Sequence, residues 1–238
     1  MDPRQSPDMH RTPFVLLALF AAAAAASATE HDENDIEMAE RLVACATCHG
    51  EAGRSDSETY FPSIAGKPAG YLYAQLEHYR AGRRRHVIME GLLANLSADY
   101  LREIAAYYAR QEPQWTLPSL PGADARLERG RRLVEQGDPE LGVPSCRECH
   151  GDRLTGIAPS IPGLVGLRPE YLSGQLGAWR TGARRAAEPD CMAEIAQRLT
   201  PADLGAVTAY IASRPLPEDH RPAEGPPSSL PLDCGVVR

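Results

Sequence analysis

The chain has 238 residues, of which 43% are hydrophobic, 24% are charged and 6% are aromatic. This length and composition suit one large packed domain or two small ones, and they exclude a chain that is disordered throughout. The net charge of −7 argues against nucleic acid as the main partner, and six cysteines are too few for a small fold held together by disulfides.

The first 28 residues predict a signal for export. Residues 12–29 carry no charge, and the stretch closes around Ala26-Ser27-Ala28, which has the form of a signal-peptidase site. We therefore expect residues 1–28 to be a signal peptide and the mature protein to lie in the periplasm. The alternative is an uncleaved membrane anchor, since a length of about 18 residues approaches that of a bilayer span.

An internal repeat divides the rest of the chain. Residues 61–82 align without a gap on residues 161–182, and each copy follows a Cys-x-x-Cys-His-Gly motif. A duplicated unit of this size predicts two domains. We place an N-terminal domain at 33–110, a linker at 111–123, a C-terminal domain at 124–213 and a Pro-rich tail at 214–238.

Both repeats are expected to be helical. Apolar residues recur at helical spacing in residues 36–43, 71–79, 125–134 and 171–179. Pro68 and Pro169 can open the helices that follow them, and Ser97 and Thr200 can cap the last helix of each repeat. No alternating strand pattern of useful length occurs, so the predicted fold class is all-α.

The Cys-x-x-Cys-His motifs at residues 45–49 and 146–150 indicate the chemistry. In c-type cytochromes the two thiols form thioethers with the haem, and the adjacent histidine ligates the iron. A zinc ribbon would need its cysteine pairs about 15–20 residues apart, and a thioredoxin-like dithiol would need a βαβ context. The pattern favours two covalently attached haem c groups. The predicted attachment and ligand residues are Cys45, Cys48, His49, Cys146, Cys149 and His150.

Methionine is the predicted sixth ligand of each iron. Met89 follows the first motif histidine by 40 residues, Met192 follows the second by 42, and the two methionines align in the repeat. His78 and His86 are rivals in the first repeat, but neither has a histidine counterpart in the second. His220 lies in the Pro-rich tail. A thioether ligand favours ferrous iron and raises the reduction potential.

These motifs resemble those of the dihaem cytochrome c4 family. The resemblance extends over residues 36–213 and includes both Cys-x-x-Cys-His-Gly motifs, residues 61–76 with their twin, and the segments 89–107 and 192–210. It implies two tandem class I cytochrome c domains, each around one haem. It also implies that the carbonyl of Pro62 or Pro162 accepts a hydrogen bond from the axial histidine, a contact that fixes the orientation of the ring.

Arginine is abundant near the predicted methionine ligands, at positions 83, 84, 85, 184 and 185. These side chains either form a solvated face or, for some of them, bind haem propionates.

Two cysteines lie outside the haem motifs. Cys191 and Cys234 are expected to form a disulfide in an oxidising compartment. The alternatives are two unpaired thiols, or Cys191 as an iron ligand in place of Met192.

The predicted function is that of an electron-transfer protein, not an enzyme. It would carry single electrons from a quinol-oxidising complex or a dehydrogenase to a terminal oxidase or reductase, with no nucleic-acid partner. Membrane association is expected only if the signal segment is retained. The alternative function is a cytochrome subunit of a periplasmic dehydrogenase, or a dihaem redox enzyme.

Overall fold

A computed structural model of the chain describes residues 34–55, 60–113, 125–225 and 230–235. The described residues from Leu42 onward group as one compact unit, and residues 34–41 form a helical segment that belongs to a separate unit. The predicted signal peptide and most of the predicted linker lie outside the described residues. Among those described, no helix is both long and apolar enough to cross a membrane.

The first repeat consists of helices and long connections. Ser97 caps the last of its helices, because its side chain accepts a hydrogen bond from the backbone N–H of Tyr100 at 3.1 Å. Behind that cap, Leu101, Ile104 and Tyr108 are buried. The elements are α1 (Val43–His49), a 3₁₀ turn (Glu51–Gly53), α2 (Ala69–Arg80), α3 (Val87–Leu93) and α4 (Ala98–Arg110).

The second repeat follows the same plan. Pro169 lies in the first turn of its long central helix, where a missing backbone N–H is not costly. Thr200 and Asp203 form a capping box at the start of its last helix. Its elements are α5 (Ala125–Glu135), α6 (Cys146–His150), β1 (Gly156–Ile157), β2 (Ile161–Pro162), α7 (Pro169–Arg180), α8 (Cys191–Arg198) and α9 (Pro201–Ser213). The two strands are antiparallel and only two residues long, so the all-α prediction is confirmed.

Helices α5 and α9 cross at close range in the second repeat. A Cβ on Gly130 would lie 2.1 Å from the backbone oxygen of Ala206, so only glycine fits at the crossing. Leu133, Val134 and Val207 pack around this contact in the main apolar core. The crossing therefore ties the two ends of the repeat together.

Backbone contacts join the two repeats within the compact unit. Arg84 and Arg184 form an isolated antiparallel bridge, and Arg185 N–H donates to the carbonyl of Arg83 at 2.7 Å. The two copies of one arginine-rich segment therefore lie side by side. The domain boundaries assigned from the repeat stay a prediction.

Candidate functional site

The paired cysteines and histidines lie on α1 and α6. Residues three apart on a helix share a face, so each Cys-x-x-Cys-His motif presents its side chains within about one turn. Ser145 and Glu148 form a capping box that fixes the start of α6. The cysteines of the two motifs form no disulfide.

Both motif histidines are oriented by a proline carbonyl. His49 Nδ1 lies 2.9 Å from the Pro62 oxygen, and His150 Nδ1 lies 2.7 Å from the Pro162 oxygen. Nδ1 donates in such a pair, which leaves Nε2 with the lone pair that binds a metal. Burial lowers the pKa of both imidazoles and favours this neutral form. The hydrogen bonds implied by the family resemblance are confirmed.

Glycine after each histidine allows the chain to turn back. Gly50 has φ of 75° and Gly151 has φ of 80°, in the left-handed region that favours glycine. A Cβ on Gly50 would also come within 2.3 Å of the Arg54 oxygen. The chain can therefore fold back and bring the proline carbonyl to the imidazole.

Three of the motif thiols, those of Cys45, Cys146 and Cys149, lack the character of metal-binding or redox-active thiolates. Burial raises the pKa of Cys45 and Cys149, and it raises the pKa of Cys146 to about 12. A thiol of that pKa is protonated at neutral pH and is a poor nucleophile or metal ligand. Across the described ranges, no group of three or more His, Cys, Asp or Glu residues could hold a metal ion. The raised pKa values of these thiols disfavour the zinc-ribbon and thioredoxin interpretations.

The two methionines occupy equivalent places in short helices. Met89 lies in α3 and Met192 is the second residue of α8, and both side chains are half-buried. Of the rival histidines, His78 is buried in α2, and His220 Nε2 is 2.8 Å from a carboxylate oxygen of Glu112.

A disulfide joins the start of α8 to the end of the chain. Cys191 and Cys234 are bonded, as expected, with their Cα atoms 5.3 Å apart. The backbone N–H of Gly235 donates to the Pro189 carbonyl at 2.9 Å, just ahead of α8. Cys191 is therefore not available as an iron ligand in this state, and the segment that carries Met192 is held at its entrance.

Two of the arginines are buried, so a solvated face is the wrong interpretation for them. Arg84 is 9% exposed and Arg184 is 4% exposed. Each donates to both Gln75 and Gln175, at 2.8–3.1 Å. Arg84 also donates to the Tyr171 hydroxyl at 2.9 Å. Arg85 and Arg185 are exposed, as the solvated-face interpretation expected.

The buried arginine pair has no counter-charge among the described residues, where neither guanidinium forms a salt bridge. Two buried cations without an anion are costly. Arg83 Nε, His86 Nδ1 and Trp179 Nε1 are likewise buried and have no hydrogen-bond partner in the described part of the chain. This surplus of buried donors and cations fits a large anionic group, as a haem with its two propionates is. Sequence reasoning could not find the pair, because nothing in the arginine run distinguishes its buried members.

Comparisons of sequence point to cytochromes that carry or accept electrons. Residues 36–107 match the family model of cytochrome c. The chain is 34% identical over 199 residues to the thiosulfate dehydrogenase electron acceptor of Thiomonas intermedia, covering 84% of this chain and 88% of that protein. It is 34% identical over 175 residues to cytochrome c4 of Pseudomonas aeruginosa, covering 72% of this chain and 84% of the relative.

Comparisons of structure agree. Reduced recombinant cytochrome c4 from Pseudomonas stutzeri matches with a TM-score of 0.64 and 29% identity, over 76% of this chain and 96% of that one. Thiosulfate dehydrogenase from Marichromatium purpuratum, as isolated, matches with a TM-score of 0.68 and 34% identity, over 77% of this chain. The present chain covers only 40% of that longer protein. With two oriented histidines on a class I cytochrome c fold, these likenesses show that the chain belongs to the cytochrome c4 family, dihaem electron-transfer cytochromes with covalently bound haem c.

Proposed function

We propose that the protein is an exported carrier of single electrons with one haem in each repeat. Cys45 and Cys48 attach the first haem, and Cys146 and Cys149 attach the second. The axial ligands are His49 with Met89 and His150 with Met192. The observation that carries this proposal is the histidine–proline hydrogen bond, which occurs at equivalent positions in both repeats.

The chain's own groups determine how the two sites behave. Haem supplies one-electron chemistry when it is bound. The proline carbonyls hold each imidazole by Nδ1, which raises its basicity toward a metal at Nε2. Methionine sulfur is a soft, neutral ligand that favours the ferrous state. If a histidine and a methionine both ligated each iron, neither site would keep a position for a substrate, and this ligation would suit a carrier rather than an enzyme.

Arg84 and Arg184 belong to the same proposal. Their guanidiniums are two buried cations that contact both repeats, and a carboxylate is the group that arginine binds best with two donors. We infer that they bind haem propionates. Replacing Arg184 by Gln should then lower the reduction potential of at least one haem, because a cation near the iron is lost. Unchanged potentials would contradict this role.

A mass measurement on the denatured mature protein tests haem attachment. Protein made in a host with haem-attachment machinery should carry two covalent haems, and a Cys146→Ala, Cys149→Ala double variant should carry one. Haem that is extracted by acid-acetone from the unaltered protein would refute the proposal. The N-terminal residue of the same sample reports whether residues 1–28 are removed, as expected for a periplasmic protein.

A dehydrogenase is the electron donor that the comparisons favour. The Thiomonas relative is called a thiosulfate dehydrogenase electron acceptor, and the Marichromatium structure is a thiosulfate dehydrogenase. We infer that the present protein accepts electrons from such an enzyme and passes them to a terminal acceptor such as an oxidase. Mixing the oxidised protein with thiosulfate and a purified thiosulfate dehydrogenase should reduce both haems. Reduction no faster than by thiosulfate alone would exclude this donor.

A further inference from the structure

Lys67 is the only lysine of the chain, and it is buried between the repeats. It precedes α2 in the first repeat, with 7% of its surface exposed. Its ammonium donates a hydrogen bond to the carbonyl of Gly163 in the second repeat, at 3.1 Å. The positive charge of a first-repeat side chain therefore lies against the backbone of the second repeat.

The contact lies next to the backbone that orients the second histidine. Gly163 directly follows Pro162, whose carbonyl accepts the hydrogen bond from His150 Nδ1. A Cβ on Gly163 would come within 2.6 Å of the Thr155 oxygen, so this backbone is closely packed and the contact is well defined. The ammonium therefore lies beside the backbone segment that orients the second histidine.

The second repeat has no lysine that could do the same for the first histidine, His49. The residue aligned with Lys67 is Leu167, which is 9% exposed. A charged residue in one repeat is therefore matched by an apolar residue in the other, and removing the Lys67 charge should affect the two sites unequally.

We propose that Lys67 is a positioning residue that raises the reduction potential of the haem bound at His150. The inference rests on the proposed haem attachment. When that haem accepts an electron from a redox partner, its site loses one unit of positive charge. A nearby ammonium in a region of low dielectric constant stabilises the reduced form more than the oxidised form. The first repeat thereby makes the second a stronger electron acceptor.

Redox titration of charge-changing variants tests this role. Lys67→Met keeps a long flexible side chain and removes the charge. At a fixed solution potential we expect its His150 haem to have a reduced-to-oxidised ratio about tenfold below that of the unaltered protein, which corresponds to about 59 mV. The His49 haem should change less than half as much. The NMR signals of the Met89 and Met192 methyl groups in the reduced protein distinguish the two haems.

Three further variants separate charge from packing. Lys67→Arg keeps the charge, so the reduced-to-oxidised ratio of its His150 haem should stay within about threefold of that in the unaltered protein. Lys67→Leu copies Leu167 and should behave as the methionine variant does, so it replaces that variant if the latter folds poorly. Arg185→Gln removes an exposed cation of the second repeat and should change neither haem appreciably, since water screens its charge.

Two results would overturn the inference. One is an equal shift, or no shift, of the two haems in Lys67→Met. The other is a loss in Lys67→Arg as large as that in Lys67→Met, because the effect would then come from packing. Counting haems by mass beforehand keeps the two proposals apart. Fewer than two haems in the unaltered protein refutes the attachment, whereas two haems with unmoved potentials refute only the role of Lys67.

Discussion

Removing the Cys191–Cys234 disulfide should loosen one haem ligand and leave the other in place. The bond joins the residue before Met192 to the end of the chain. Asp190, one residue further back, caps α8 by accepting from the backbone N–H of Ala193. In the first repeat, α3 begins at Val87, which is 84% exposed, and the residue before it, His86, provides no side-chain cap. Met192 is therefore held more firmly than Met89.

The size of the effect follows from the loop that the disulfide closes. Its cysteines are 43 residues apart in sequence. Chain-entropy arithmetic for such a loop gives about 4 kcal/mol of the free energy of unfolding. We expect the Cys191→Ser, Cys234→Ser variant to lose up to that amount. Part of the loss should appear locally, as easier displacement of Met192.

Two measurements on the holoprotein check this expectation. Urea unfolding of the unaltered and variant proteins gives the change in the free energy of unfolding. Cyanide titration, followed by the loss of the ferric thioether-to-iron absorption, gives the displacement of each methionine. In the unaltered protein Met89 should be displaced at a lower cyanide concentration than Met192. The difference between these two concentrations should be smaller in the variant. Two reactive thiols in the denatured, unreduced protein would refute the disulfide. An unchanged difference between the cyanide concentrations that displace Met89 and Met192 would refute its action on Met192.

Three other predictions follow from particular contacts and from charge. Gly130→Ala should destabilise the protein by about 1–3 kcal/mol, because its Cβ would overlap the facing helix. A Cβ added at Gly177 would meet no neighbouring atom within 4 Å, so Gly177→Ala should stabilise the protein by about 0.5–1 kcal/mol. Equal urea midpoints for the two variants would contradict the close crossing. Met89→Ala should keep a low-spin iron, because half-buried His86, whose Nδ1 has no hydrogen-bond partner among the described residues, can replace the sulfur. Met192→Ala should bind carbon monoxide when reduced. A Met89→Ala, His86→Ala variant with the same spectrum as Met89→Ala would exclude that replacement. With a net charge of −7, electron transfer to a basic partner should slow as salt is added, and a rate that is constant between low and high ionic strength would argue against electrostatic steering.

The sequence alone was sufficient for the parts of the site that depend on local spacing. Two cysteines and a histidine within one helical turn serve one macrocycle wherever the helix lies, so both motifs could be recognised without a structure. The duplication aligned Met89 with Met192, and the caps at Ser97 and Thr200 depend only on residues within the next turn. The disulfide was also within reach, because only two cysteines were left over.

Only the tertiary structure decided which charges are buried between the repeats. Arg84 and Arg85 are neighbours in one arginine run, yet the first is buried and the second is exposed. Lys67 finds its acceptor, Gly163, 96 residues further along the chain. Such contacts depend on how the two repeats pack against each other. The spacing of residues in the sequence does not predict that packing. A charged residue can occur at the same position in a local pattern whether its side chain contacts solvent or a buried carbonyl.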